Sequence, residues 1–382
     1  MECREKRREG GEDKAECVDV CAAVGVIRLL LTMRKNVEVK ERVLRLMDHL
    51  QERRKEKNWR NVVEDLIPFI KCNVFADIED EVVERIVGII RTNSVRWRGG
   101  SKKVLGYAVC PVYAVLNHSC VSNTTDTQTG LGDMVVRASV LIKQGEEITT
   151  MYRASTQGTI IRRQELQEYW MFSCSCARCA DPTELGTCAS AMVCRECGDT
   201  VLPLSADLGS DWGCGGCGNL ETEMTVMKTV KRLQGSLDSF PASQSPEEWE
   251  LLLAECEAEL HEDHYLCLAI KHVLLSLYRP GREEPRRVLD RKVELCRNYH
   301  RIFSILEPGI RPGKVEVLEE LVGVLTMSIN QDMENNNLAK MEYMMKIKEV
   351  VGLVREMARC RQMEDSMQNE NDILASLARF DK

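Results

Sequence analysis

From Cys17 to Leu50 apolar residues recur at intervals of three and four, as in Val26, Leu29 and Leu30 and then Val43, Leu46 and Leu50, with Arg and Lys between them. That spacing predicts amphipathic helix. The charged run from Glu52 to Lys57 reads as a solvated face or a helix end, and a further helical stretch covers Glu79 to Arg91. The texture then changes: Asn93 to Tyr152 is rich in Val, Thr, Gly and turn residues, which predicts short strands and loops. Within it Gly132-Asp133 precedes Met134–Ala138 and Gln144-Gly145 precedes Glu146–Ile148, so two strands separated by a tight turn are expected. Cysteine dominates from Cys174 to Cys217, and Ser236 to Pro246 reads as a loop. Helical spacing returns with Trp249, Leu252 and Leu253, then Leu266, Ile270, Val273 and Leu274, then Ile302, Ile305 and Leu306. The final third is therefore expected to be stacked antiparallel helices, compatible with a TPR-like array.

Composition narrows the class. A chain of 382 residues is too long for one ordinary hydrophobic core, and 44% hydrophobic with 29% charged residues excludes a wholly disordered or collagen-like chain. The longest apolar stretch, Val20 to Met33, is broken by Arg28 and falls short of the roughly 20 residues that cross a bilayer, so no membrane span is expected. Mixed charges after Met1 do not resemble a signal peptide, and a cytoplasmic or nuclear location is expected. A net charge of −8 argues against direct nucleic-acid binding. The informative excess is 18 cysteines, because without a secretion signal clustered thiols point to metal ligation rather than disulfides.

Cys194-x2-Cys197 and Cys214-x2-Cys217 are two CxxC knuckles separated by 16 residues, with Gly198, Gly213, Gly215, Gly216 and Gly218 to allow tight turns. Four thiolates close the coordination shell of Zn(II), so this site should be structural rather than catalytic. Arg195 is the only basic residue in the span, which disfavours DNA binding through it. Cys174-x-Cys176-x2-Cys179 supplies three thiolates and needs a fourth ligand from elsewhere. Cys120, closing the string Asn117-His118-Ser119-Cys120, is a candidate, but spacing leaves the fourth ligand open. His261 and His264 form an HxxH pattern without a nearby third ligand and read as helix-surface and packing residues. Cys72, Cys110, Cys256, Cys267, Cys296 and Cys360 read as buried small hydrophobes.

Three strings in order, Asn117-His118-Ser119-Cys120-Val121-Ser122-Asn123, Gly145-Glu146-Glu147-Ile148 ending at Tyr152, and Phe172-Ser173-Cys174-Ser175-Cys176-Ala177-Arg178-Cys179, resemble the core signatures of the SET/MYND (SMYD) family of SET-domain methyltransferases. Leu260–Leu266 and Leu306-Glu307-Pro308-Gly309 are similar to that family's helical domain, and the CxxC ribbon resembles its arthropod-specific, msta-like branch. The resemblance implies an α+β fold: a SET-domain β-fold with a pseudoknot, a helical insertion, a zinc-bound post-SET region and an all-α, TPR-like C-terminal domain. Its boundaries would be 1–17 for the end of a MYND finger, 18–92 for the insertion, 93–173 for the SET core, 174–220 for the zinc region and 221–382 for the helical domain. Cys120 would complete the first of two structural zinc sites.

The implied activity is S-adenosylmethionine-dependent N-methylation of a lysine on a histone or non-histone protein, with partner proteins bound by the helical domain. Asn93, Asn117 and His118 would hold the cofactor, with Phe172 against its adenine. Tyr152 would sit at the methyl-transfer channel, with Tyr169 or Trp170 as candidate wall; the family places Tyr where this chain has Trp170, which makes Tyr169 the second catalytic candidate. These types suit the chemistry: a neutral amine must be aligned and desolvated, a phenol orients a methyl group without competing for it, and ring faces accept a cationic product. Several positions depart from the pattern. The family's Gly-x-Gly strand has no counterpart around Gly10-Gly11, and Asp13 stands at the His position before Glu16-Cys17, so weak cofactor affinity is expected. Ser122 replaces a proline, which loosens the backbone of the cofactor loop. The alternative role is a catalytically silent, zinc-stabilised scaffold in transcriptional regulation.

Overall fold

A computed structural model describes residues 20–97, 106–128, 133–278, 285–335 and 339–377. Gly10-Gly11 and the finger remnant at 1–17 lie outside the described residues. The chain divides into two compact units, one made of residues up to 95 with 107–115, the other of 96–106 and 116 onward.

The first unit is helical. Its helices are α1 (Val20–Lys35), α2 (Val37–Leu44), α3 (Leu50–Arg53), α4 (Trp59–Asn73) and α5 (Asp80–Asn93). The continuous amphipathic pattern is interrupted where the Asn36 side chain accepts the Val39 N–H at 3.1 Å, capping α2 and separating it from α1. Val26, Leu30, Val43, Leu66, Ile70, Ile86 and Ile89 form the core, as their spacing requires. Gly88 lets the backbone close in: a Cβ there would stand 2.4 Å from the Asp48 carbonyl oxygen. The charged run is not all solvated. Arg53 is 3% exposed and donates to the Asp48 carbonyl at 3.3 Å and to Thr92 Oγ1 at 2.9 Å. Cys72, expected to be buried, is exposed. After α5 come the paired strands β1 (Ser94–Trp97) and β2 (Gly106–Val109).

The second unit begins with short strands. β3 (Asn117–His118), β4 (Thr124–Gln128), β5 (Met134–Ala138) and β6 (Thr149–Thr150) follow one another. β4 and β5 form an antiparallel pair, Thr124 opposite Ala138, whereas β3 and β6 pair in parallel, Asn117 opposite Thr149 and His118 opposite Thr150. The strand expected over Glu146–Ile148 is instead a turn and its exit, with Gly145 at φ +88° and Glu146 N donating to the Lys143 carbonyl at 3.0 Å; the strand starts one residue later. Helix α6 (Thr159–Trp170) and the short α7 (Ala177–Ala180) precede a four-stranded antiparallel ribbon. Its strands β7 (Met192–Val193), β8 (Thr200–Pro203), β9 (Trp212–Cys214) and β10 (Leu220–Glu221) pair in sequence order.

Helices α8 (Glu223–Ser239), α9 (Pro246–Glu257), α10 (Tyr265–Leu277), α11 (Arg286–Leu306), α12 (Val315–Glu334) and α13 (Lys340–Leu377) complete the unit. The loop predicted from Ser236 shortens because α8 runs on to Ser239, and Pro246 opens α9 behind a Ser245–Glu248 capping box. The ribbon and helices share one core in which Val201 and Trp212 meet Leu233, Leu253, Ile270 and Leu274. Cys256, Cys267, Cys296 and Cys360 are buried as expected.

Candidate active site

The string Asn117 to Thr124 wraps strand β6. Ser119 N donates to the Thr150 carbonyl at 3.0 Å, and beyond Cys120 the Asn123 side chain accepts from Thr149 N at 2.9 Å and donates to the Glu147 carbonyl at 2.8 Å. The exposed Asn117 Nδ2 donates to Glu147 Oε1 at 2.6 Å.

His118 has both ring nitrogens engaged. Its Nδ1 lies 3.0 Å from the Tyr152 backbone N–H, which can only donate, so Nδ1 is unprotonated and the ring proton sits on Nε2, 3.2 Å from Cys120 Sγ. One imidazole therefore joins the start of the loop, the cysteine that closes the string and the backbone of Tyr152. Around it stand rings: Tyr152 at 5.3 Å and Phe172 at 6.1 Å from His118, with Trp170 at 5.2 Å from Tyr152. The Tyr152 hydroxyl donates to the Leu116 carbonyl at 2.6 Å, and burial pushes its pKa up, so the phenol keeps its proton at neutral pH. Met171, left-handed at φ 59°, ends α6 and reverses the chain so that Trp170 and Phe172 both reach Tyr152.

Of the predicted residues, Asn117, His118, Tyr152 and Phe172 are thus brought together. Tyr169 is not part of that ring group: 47% exposed, it packs its ring against Trp170 at 6.0 Å and under the Arg153 guanidinium at 4.9 Å, and it is Trp170 that meets Tyr152. Asn93 belongs to the first unit, where its Nδ2 donates to the Met47 and Ile89 carbonyls, each at 2.8 Å.

Both cysteine sets converge. The sulfurs of Cys120, Cys174, Cys176 and Cys179 lie within 4.8 Å of one another, and so do those of Cys194, Cys197, Cys214 and Cys217. A tetrahedral ion with bonds of about 2.3 Å sets sulfurs about 3.8 Å apart. Observed separations are 4.0 Å for Cys120–Cys174, 3.5 Å for Cys120–Cys179, 3.6 Å for Cys194–Cys217 and 3.4 Å for Cys197–Cys214, far longer than a disulfide. Each set therefore fits a four-coordinate zinc ion. Neither leaves a place for a reacting ligand, so the fit is to structural metal.

The first cluster rests on a buried ionic network that sequence reasoning missed. Arg162, fully buried, aims Nε at Cys120 Sγ at 3.2 Å and Nη2 at Cys179 Sγ at 3.7 Å, while Nη1 meets Glu184 Oε2 at 3.1 Å. Arg178 reaches the same Glu184 at 2.8 Å and ties down the Ser155 and Gln157 carbonyls, just past Tyr152. Burial disfavours the Arg162 charge, but Glu184 and the thiols outweigh it and hold its pKa above the usual arginine value. Burial likewise opposes the Glu184 charge, yet the two guanidinium groups prevail and hold its pKa at about 2. In sequence, Arg162 and Arg163 look like the solvated side of a helix; only the fold turns them inward, Arg163 donating to the Cys174 carbonyl at 3.0 Å. Arg178 alone carried a hint, lying between two cysteines of one set.

Comparison with known proteins bears on the same segments. Residues 29–153 match the SET domain family. The chain is 38% identical over 141 residues to the Drosophila melanogaster SET domain-containing protein SmydA-8, isoform A, covering 36% of this chain and 30% of that protein. It is 25% identical over 239 residues to the Mus musculus protein-lysine N-methyltransferase SMYD4, covering 59% and 28% respectively. A Dictyostelium discoideum SET and MYND domain-containing protein is 31% identical over 107 residues, 27% of this chain and 26% of the relative. The chain thus spans less than a third of the length of each of these relatives. Residues 29–153 thus carry the likeness to the SET domain family, and the chain is similar to SET and MYND domain-containing proteins over the segments they share.

Proposed function

We propose that the protein is an S-adenosylmethionine-dependent protein-lysine N-methyltransferase. The observation that carries this reading is the grouping of Tyr152, Phe172 and Cys120 of the first cysteine cluster about the single ring of His118, with Trp170 against Tyr152 and Asn117 next to His118 in the chain. The name of the mouse relative, a protein-lysine N-methyltransferase, supports the reaction class.

The donor set fits the cofactor. An exposed amide at Asn117 suits a polar amino-acid end, and half-buried rings suit a cation and a base. When bound, the cofactor supplies an electrophilic methyl group on a sulfonium. The Tyr152 hydroxyl donates its hydrogen bond to the Leu116 carbonyl, so it offers lone pairs to a polarised methyl group, and as a protonated phenol it does not compete as a nucleophile. Trp170 excludes water around the lysine stem and its face favours the alkylated cation, while Phe172 is assigned to the adenine of the cofactor. His118 positions the site and does not act as a base, because both of its nitrogens are engaged. The cofactor role of Asn93 rests on the sequence resemblance alone; within its own unit its Nδ2 is held by the Met47 and Ile89 carbonyls. Tyr169 is assigned to the outer wall of the lysine channel, behind Trp170.

We further assign zinc to both cysteine sets, protein partners to the helices of 221–382, and a cytoplasmic or nuclear location. Calorimetric titration of S-adenosylmethionine into zinc-loaded protein tests the reading. Asn117→Ala should weaken binding about tenfold, and Tyr152→Phe should leave binding but lower methyl transfer about a hundredfold. A folded, zinc-loaded protein that binds no cofactor would sink the enzyme reading and favour the scaffold.

A further inference from the structure

Ser122 sits two residues beyond Cys120, in the loop that carries Asn117 and His118, and its backbone was expected to be loose. It is not free. Arg311, from the turn between α11 and α12, is 3% exposed and places its guanidinium against this loop. Nη2 donates to the Ser122 carbonyl at 2.5 Å and to Ser122 Oγ at 3.1 Å, and Nη1 donates to the Thr124 carbonyl at 2.9 Å. Ser122 Oγ itself donates to the Thr124 carbonyl at 2.9 Å. One planar cation thus fixes the carbonyls at both ends of Asn123, the residue whose side chain clasps β6.

The whole segment Glu307–Arg311 is laid against the loops that follow β3, β5 and β6. Glu307 Oε1 accepts from Ser155 Oγ at 2.6 Å, and Ile310 N donates to the Ser139 carbonyl at 2.8 Å. Gly309 has φ +81°, and a Cβ there would stand 2.0 Å from the Ser139 carbonyl oxygen, so only glycine permits the approach. From the other side Lys314, 3% exposed, donates to the Gly309 carbonyl at 3.1 Å and pairs with Glu356 of α13 at 3.6 Å. Arg311 is therefore held on a braced element. Burial lowers its pKa, and Glu307 and Asp126 partly offset this.

We propose that Arg311 is a positioning residue of the cofactor site: by clamping the Ser122 and Thr124 carbonyls it holds the loop in the shape that presents Asn117 and His118. A proline would restrain such a loop through a fixed φ; here a side chain from the helical part does so through three hydrogen bonds. The inference rests on the methyltransferase reading for its consequence, but the clamp is measurable without cofactor.

The test compares full-length, zinc-loaded wild type with Arg311→Met, Arg311→Lys and the double variant Arg311→Met/Ser122→Pro. Hydrogen exchange is read at the amides of Ser119, Asn123 and Tyr152, and affinity is read with S-adenosylhomocysteine. Arg311→Met should speed exchange at these three amides and weaken ligand affinity, each about tenfold, at unchanged zinc content. Arg311→Lys should be intermediate, because a single ammonium cannot span both carbonyls. Ser122→Pro in the Met background should recover affinity, which general destabilisation would not do. Unchanged exchange in Arg311→Met overturns the clamp, and so does acceleration spread evenly over α8 to α12. If the Met variant does not fold, the Lys variant carries the same comparison. Should wild type bind no S-adenosylhomocysteine, the methyltransferase reading fails, while the exchange data still decide whether Arg311 holds the loop.

Discussion

The two cysteine clusters have the same four ligands and opposite settings. Cys120, Cys174 and Cys179 are buried, and the set draws on residues 59 apart in sequence, packed with Leu166 against Tyr152, Trp170 and Phe172. The other set is local, with Cys197 and Cys217 exposed and turns formed by Gly198 at φ +77° and Gly218 at φ +74°. A zinc ion with four thiolates carries a net charge of −2. At the surface water screens it; in the interior it needs counter-charge, which Arg162 supplies to the first cluster alone. The first cluster is thus a core element on which the site is built, and the second staples a ribbon. Ligand chemistry does not separate the two roles, but burial and the neighbours do.

The sharpest way to break this contrast is to remove one ligand from each. Cys174→Ser should release one zinc ion per chain, lower the unfolding temperature of the second unit by more than about 10 °C and abolish measurable S-adenosylmethionine binding. Cys197→Ser should also release one ion, yet leave cofactor affinity within about threefold, because the ribbon core around Val201 and Trp212 remains packed. Zinc analysis, thermal unfolding and calorimetry on both variants are the measurements. Equal losses of affinity would show that the two clusters are not functionally distinct.

A smaller effect, confined to one cluster, is expected from Arg162→Met. It leaves the thiolates and Glu184 with Arg163 and Arg178 as the buried cations beside them. Chelator competition should then extract zinc from the first cluster about ten- to a hundredfold more readily, with the second cluster unchanged. Faster loss from both, or from neither, would remove Arg162 from its place as counter-charge.

How far these features could be read from the sequence follows the range over which they act. Cys194, Cys197, Cys214 and Cys217 group themselves, because two CxxC knuckles form wherever a turn allows them. Cys120 cannot be assigned by spacing, since its partners lie more than fifty residues away, and only the resemblance pointed to it. The helical periods marked α1, α2, α5 and α9 to α11, where one apolar face meets one core. They did not mark the break at Asn36, which depends on a single capping bond, nor the strand at Thr149–Thr150, too short to show an alternation. Buried arginines are invisible to the same reading. Arg53, Arg162 and Arg311 look solvated by type, and each is turned inward with at least one partner distant in sequence, the Thr92 hydroxyl for Arg53, Cys120 and Glu184 for Arg162, and the Ser122 and Thr124 carbonyls for Arg311. The Trp170 position was read as a departure at the channel wall; in the fold Trp170 contacts Tyr152 directly, while Tyr169 stands outside it.

The smallest predicted effect lies where the ribbon joins the helices. His264 is buried, and its Nδ1 caps α10 by accepting from Leu266 N at 3.2 Å. The adjoining residues tie that helix to the chain entering β7, with His261 N donating to the Ala191 carbonyl at 3.0 Å and Tyr265 N to the Ala189 carbonyl at 2.9 Å. Burial lowers the His264 pKa from 6.5 to about 3, with Glu184 opposing the shift. Between those values the unfolded chain binds a proton that the folded chain does not. The stabilisation from the neutral ring is therefore complete above pH 6.5 and is lost as pH falls toward 3, with a slope of at most about 1.4 kcal/mol per pH unit. Asparagine can accept the same capping bond and does not titrate. His264→Asn should thus cost some stability at pH 7.5 through lost packing, yet flatten the acid limb of the denaturation profile between pH 6.5 and 5 relative to wild type. Zinc release contributes to that limb in both proteins and cancels in their difference, so the change in slope reports His264 alone. Parallel limbs would mean that the junction titrates through the cysteine clusters, which would join the ribbon's acid stability to its metal.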